Sequence, residues 1–296
     1  MNLLDLLFQI AGLLLLFGGI GLGYRRWIKP HGAVLDTRQR CVLLLLIMTL
    51  VGGFVGSPIW WIDDPRGFAW DLPPLASRML AAAGWSFVVL CHAALHRPTS
   101  DRIRLVLAML AVYLAPLAGA ILIWHLDRFD LSAPVTYAFF TIVSALLLPT
   151  AWFLAQPPRP IVAHSAEVPL AEPIMSLWLV LVGIVTGLWG LALFVTDQGP
   201  TELIWAWPGD LLTSRLIGVM LLTIMTGAML GRHTVDLGRI VLRVTIIYAI
   251  GLTVASLWGL LVGQPLRPGY AIAFAIIAIG SALTLRVGNP ASGGTA

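Results

Sequence analysis

Arg78 and Arg215 are the residues whose chemistry most needs an explanation. Each follows a serine, Ser77 or Ser214, and each trails a tryptophan, Trp70 or Trp207, at the same spacing. A guanidinium presents donors in a planar fork and has no acceptor, so its natural partners are carboxylates and phosphates. The serine hydroxyl and the indole N–H add neutral donors. This constellation predicts a site for an anion or a lipid headgroup, built from Arg78, Arg215, Trp70, Trp207, Ser77 and Ser214. A plainer reading has each arginine reaching to water or pairing with a neighbouring carboxylate such as Asp71 or Asp210.

A second motif is also doubled. Arg97, Thr99, Asp101 and Arg104 return as Arg232, Thr234, Asp236 and Arg239. The threonines can cap the helices that come after them, and the aspartates complement the positive ends of those helices. The arginines Arg97, Arg104, Arg232 and Arg239 are expected to hold a membrane face and contact anionic headgroups. His92 and His96, four apart, share a helix face at a spacing that metal ligands also use. Two imidazoles without further acidic or sulfur donors do not make a metal site, and no metal or cofactor is expected.

Other chemistry is missing. There is no phosphate-cradling glycine loop, zinc-protease motif or serine elbow. None of the apolar segments carries Asp, Glu, Lys or Arg near its centre, where coupling ions and proton relays need them, which disfavours an ion-driven pump. Thr186, Thr223, Thr226, Thr253 and Ser256 could hydrogen-bond between helices, although most such hydroxyls bond their own backbone. Cys41 and Cys91 imply no disulfide framework.

The elements that must position these residues can be read from composition. The chain of 296 residues is 59% hydrophobic and 11% charged, with a mean hydropathy of +0.92. A soluble domain carries roughly a quarter charged residues, so a water-soluble fold is excluded. Apolar runs of about 20 residues, each long enough to cross a hydrocarbon layer of roughly 30 Å, recur from end to end. They predict an all-α, polytopic transmembrane bundle of about nine spans near 3–23, 41–62, 76–95, 103–124, 134–155, 174–196, 211–230, 238–262 and 269–286.

Basic residues fall mainly on one side of these spans, Arg25, Arg26, Arg97, Arg104, Arg232 and Arg239 among them. Arg66, Arg78, Arg128, Arg215 and Arg267 fall on the other. By the positive-inside rule the amino terminus faces out and the carboxyl terminus lies in the cytoplasm, in a cell membrane. The net charge of +4 therefore marks topology rather than nucleic-acid binding.

The doubled motifs, together with Tyr113 and Tyr248, imply an internal duplication. The expected layout is an extra N-terminal helix and loop over 1–40, a four-helix repeat over 41–155 and a linker over 156–173. A second repeat over 174–288 and a flexible tail over 289–296 complete it. Four spans per unit make the repeats parallel, related by an axis along the membrane normal. Glycines at Gly52 and Gly56, Gly183 and Gly187, and Gly227 and Gly231 suit close helix packing.

Duplicated halves often enclose a site where they meet. The leading expectation is thus a non-enzymatic carrier or binding subunit for a lipid or small molecule. The alternative is a structural or assembly subunit of a larger complex with other membrane subunits. A membrane enzyme on lipid-linked substrates ranks third, because it would need the carboxylates Asp63, Asp64, Asp71 and Asp210 to converge.

Overall fold

The computed structural model describes residues 3–68, 70, 72–162, 170–196, 211–263 and 268–287. Nine helices long and apolar enough to cross a membrane occur among them, as expected of a multi-pass membrane protein. They are α1 (Leu3–Gly23), α2 (Thr37–Trp61), α3 (Pro74–His96), α4 (Ser100–Ala120), α5 (Pro134–Ala155), α6 (Pro173–Val195), α7 (Leu211–Gly231), α8 (Val235–Leu261) and α9 (Pro268–Val287). The described residues form no strand; one isolated bridge joins Leu170 to Thr234. Trp207, Asp71, Asp197, Glu202, Pro208, Asp210, His164 and Arg267 lie outside the described residues, as does the tail beyond Val287.

The helix ends obey local chemistry. Asp36 and Gln39 form a reciprocal capping box at the start of α2, satisfying two orphan donors at once. Thr99 and Thr234 accept from the Arg102 and Leu237 amides and so cap α4 and α8. Pro74, Pro134, Pro173 and Pro268 open their helices, where a missing N–H costs nothing. Within the spans, Thr186, Thr223, Thr226 and Thr253 each return a hydroxyl to the carbonyl four residues back. That removes an unpaired donor from an apolar setting.

Packing divides the helices into a centre and a rim. α3, α7 and α8 are the most enclosed, whereas α1 and α5 are mostly uncovered. The uncovered surfaces are apolar, with Leu14, Phe17 and Leu22 on α1 and Leu177, Leu181 and Leu188 on α6 exposed. In water such a belt would drive aggregation; in hydrocarbon it is the expected exterior. α2 packs along α3 and α6 along α7, while α3 also packs on α8 and α4 on α7. α3 and α4 therefore each pack against a helix that follows residue 196 in the chain.

Two of these contacts depend on glycine. A Cβ on Gly190 would lie 2.7 Å from the Gly218 carbonyl oxygen, and one on Gly218 would lie 2.8 Å from the Gly190 oxygen. In the α2–α3 contact a Cβ on Gly53 would lie 2.6 Å from the Gly84 oxygen. Backbone meets backbone at both crossings, which no larger residue permits. The glycines expected from sequence mostly face side chains instead: Gly183 and Gly187 meet Met229 and Met225, and Gly227 meets Met109.

Contacts also define the two ends of the bundle. At one end Trp70 meets Phe129, and the Arg66 guanidinium lies 4.1 Å from the Phe8 ring centroid. At the other, Arg38 donates to Gln156, the Ala171 amide donates to the His233 carbonyl, and Trp27 meets His92.

Candidate functional site

α7 begins at Leu211, and its second turn projects Arg215 into the bundle rather than outward. The side chain is 6% exposed. A cation in the first turns of a helix faces the positive end of that helix's dipole, a penalty of about 0.3–1 kcal/mol. Two other helices offset it. The Gly190–Gly218 crossing lies one turn inward and brings α6 and α7 together. Ser214 Oγ donates to the Leu193 carbonyl at 2.8 Å, and Arg215 Nε donates to the Phe194 carbonyl at 3.3 Å. Both acceptors belong to the last turn of α6, where carbonyls have no intrahelical partner and the dipole is negative.

The second helix is α4. Beyond Ala120 it widens into a π-type turn over Ile121–His125, five residues after Pro116 interrupts the regular hydrogen-bond ladder. Pro116 removes one backbone donor, and the wider turn rotates the residues beyond it. Leu122, Ile123 and Trp124 face outward and His125 is buried. Arg215 Nη1 donates to His125 Nε2 over a short contact, and the guanidinium lies 4.6 Å from the Trp124 ring centroid. Because arginine has only donors, this contact requires a neutral imidazole with its lone pair on Nε2 and its proton on Nδ1.

A cavity of about 480 Å³ opens beside this group, lined by Trp124, His125, Phe194, Val195, Leu211 and Arg215. Among the described residues its lining side chains are apolar apart from the Arg215 guanidinium, the His125 imidazole and the edge of the Trp124 indole. No carboxylate among the described residues lies within 4.0 Å of Arg215. Such a wall can hold an acid by its charged oxygen atoms while covering an apolar remainder.

Arg78 has a different setting. It is half-exposed, its Nη1 donates to the Pro74 carbonyl of its own helix at 2.8 Å, and its guanidinium lies 5.9 Å from the Trp258 ring centroid. Ser77 likewise bonds Pro74. Trp70 packs against Phe129 and Phe139 at 5.2 and 5.4 Å. Its indole nitrogen is buried without a hydrogen-bond partner among the described residues. Arg78, Ser77 and Trp70 do not line the cavity of Arg215, so the two arginines share a motif and not a pocket.

The other doubled motif gathers at the opposite end. Arg102 Nε donates to Asp236 Oδ2 at 2.8 Å while its Nη2 meets Oδ1. Its Nη1 donates to the Ala93 carbonyl at 2.8 Å. The ion pair thus ties the starts of α4 and α8 to the end of α3. Arg97 and Arg239 stand close enough to Asp236 to act on its charge, whereas Arg104 is exposed. Arg232 bonds the adjacent His233 and meets Met229 Sδ. The His92 and His96 rings are tilted against each other with centroids 6.3 Å apart, and no group of His, Cys, Asp or Glu among the described residues could hold a metal ion.

Sequence reasoning named Ser214 and Arg215 and missed His125, Trp124 and the α6 terminus. His125 sits 90 positions from Arg215, a separation at which no sequence spacing predicts contact. The one available signal was Pro116 near the end of a long apolar run, since proline disrupts a helix and re-aims the residues after it. No family model matches this chain, and no curated protein or solved structure matches it.

Proposed function

We propose that this protein is a non-enzymatic membrane carrier or binding subunit that takes an oxyanion, free or on a lipid headgroup, in the Arg215 cavity. One observation carries the reading: a buried guanidinium opens on a cavity of about 480 Å³ and has no carboxylate partner among the described residues. A buried cation without a counter-charge is costly in an apolar setting. Helix termini reduce that cost, and an anion would cancel it. The positive-inside pattern of the sequence puts the cavity on the outer side of a cell membrane.

The site belongs to both halves of a proposed parallel duplication. His125 and Trp124 come from the first half, and Arg215 and Phe194 from the second. The exchange of partners, α3 with α8 and α7 with α4, is what a twofold relation between 41–155 and 174–288 would produce. Arg78, the counterpart of Arg215 in that relation, does not line this cavity.

The test is retention of anionic lipid or a soluble oxyanion by the full chain, read by native mass spectrometry after mild extraction. Arg215→Gln should lose the bound species and Arg78→Gln should keep it. Equal retention by Arg215→Gln and the parent chain would overturn the proposal.

A role as an assembly subunit draws on a separate observation. α1 packs on α2 through Gly19 against Val51 and Gly23 against Ile47, while Gly12, Gly18 and Gly21 have nothing within 4 Å. A stoichiometric partner in the same native spectra, lost when Gly18 is replaced by leucine, would favour that role.

A further inference from the structure

His125 gives the cavity a second property. Its Nε2 accepts from Arg215 Nη1, so in this contact the imidazole is neutral and its lone pair is occupied. A proton on Nε2 and the Arg215 N–H cannot share that contact, because both would be donors. An oxyanion placed between them accepts from both, and it supplies the negative charge that two adjacent cations require. We infer that anion binding in this cavity takes up one proton at His125 Nε2, which makes the protein a proton-linked oxyanion site. The inference rests on the reading of Arg215 as an anion site.

The Arg215–His125 contact holds Arg215 as a cation and His125 neutral. A proton from the aqueous side bonds to Nε2, the Arg215–His125 hydrogen bond breaks, and the anion receives one N–H from each residue. No covalent bond to carbon or phosphorus is made or broken. With a divalent oxyanion the loaded group is neutral; with a monoanion it retains one positive charge, which the ends of α4 and α6 face.

Among the described residues of the wall, His125 is the group that exchanges a proton between pH 5 and 8. Arg215 is the other charged residue on the described wall, and arginine stays protonated. α6 contributes Phe194 and Val195, and α7 adds Leu211. Asp127 and Arg128, on the short helical turn after His125, are exposed, as is Asp130 beyond them. Asp130 is held below the ordinary carboxylate range by hydrogen bonds from Ser132, so it stays ionised where an imidazole exchanges its proton. Asp197 and Asp210 lie outside the described residues.

The experiment uses the full chain in phosphatidylcholine nanodiscs and two probes whose own charge is constant between pH 5 and 8. These are sulfate, for a soluble oxyanion, and phosphatidylglycerol at a low fraction, for a headgroup. Affinity is followed by calorimetry in two buffers of different ionisation heat. At least one probe should bind more tightly as pH falls, by up to about tenfold per unit, the slope for one linked proton. The buffer difference should report about one proton taken up per anion.

His125→Gln keeps an acceptor for Arg215 and cannot take a proton, so it should bind without pH dependence. Binding of sulfate assigns the site to free oxyanions, and binding of phosphatidylglycerol alone assigns it to lipid. Binding with no proton uptake, or an unchanged pH profile in His125→Gln, overturns the proton linkage and leaves the anion site standing. Failure of both probes at every pH overturns both.

Discussion

At the start of α3, Arg78 turns back onto the Pro74 carbonyl of its own helix and remains half-exposed beside Trp258. At the start of α7, Arg215 leaves its helix and ends among the last turns of two others. The two share a Trp, Leu, Ser and Arg at matched spacing; the helix crossings beneath them differ. Gly218 lies three residues after Arg215, so α6 and α7 touch one turn below the guanidinium and the carbonyls of Leu193 and Phe194 come within reach. Gly84 lies six residues after Arg78, and the Trp60 ring occupies the space beside Gly56 and Gly84, with its N–H on the Gly67 carbonyl. A shift of one helical turn in where two backbones meet separates a polar anchor from a site.

The greatest change should come from the crossings. Gly190→Leu drives a side chain into the Gly218 carbonyl and Gly53→Leu into that of Gly84, each costing about 3 kcal/mol. Unfolding can be followed by a thiol-reactive dye on buried Cys91, with exposed Cys41 replaced by serine. If the α6–α7 crossing delivers Arg215, Gly190→Leu loses ligand retention as well as stability and Gly53→Leu loses stability alone. Equal effects on retention would remove the distinction between the two crossings.

Removing the arginines comes next. Arg215→Gln leaves the Phe194 carbonyl and His125 short of donors in a buried setting, a loss of about 2 kcal/mol. Arg78→Gln, from a half-exposed position, should change stability by about 0.5 kcal/mol or less. The same dye, read as the protein is heated, orders them, and a reversed order would show that exposure misjudges the pair.

The ring partners refine the contrast further. Trp124→Ala removes a ring 4.6 Å from a buried guanidinium, for an expected loss of about 1 kcal/mol. Trp258→Ala removes one at 5.9 Å from a half-exposed partner and should be close to neutral. Crossing each tryptophan change with its arginine change isolates the coupling, which should be measurable only for Trp124 with Arg215.

The least effect concerns acid. The Arg66 guanidinium, hydrogen-bonded to Asp64, holds that carboxyl below its ordinary value of 3.8. A depressed carboxylate adds stability above the unfolded value, and that stability is lost as pH falls through the folded one. Thermal midpoints of the parent chain and Asp64→Asn should therefore differ slightly at pH 6, and the difference should shrink as pH falls below 3.8. A difference that is the same at pH 6 and at pH 2 would assign the contribution to packing.

Much of the scaffold is legible in the chain itself. The nine apolar segments match the nine long helices to within a few residues, from Leu3–Gly23 to Pro268–Val287. Thr99 and Thr234 cap where their position implied. Hydropathy, capping and proline placement act over one or two helical turns, so the local sequence contains everything they need. Topology by charge and the duplication rest on sequence pattern alone.

Partnership, by contrast, was settled by tertiary packing. Nothing near Arg215 in the chain points to His125, Trp124 or the end of α6, and nothing near Arg102 points to Asp236. The glycines that matter, Gly53, Gly84, Gly190 and Gly218, are not distinguished in sequence from the others that merely face side chains. In a bilayer every helix is apolar, so the pattern that selects a span does not select its neighbour. That choice is made by where backbones can touch, and the crossings put one arginine of a matched pair inside a cavity and left the other at its own helix end.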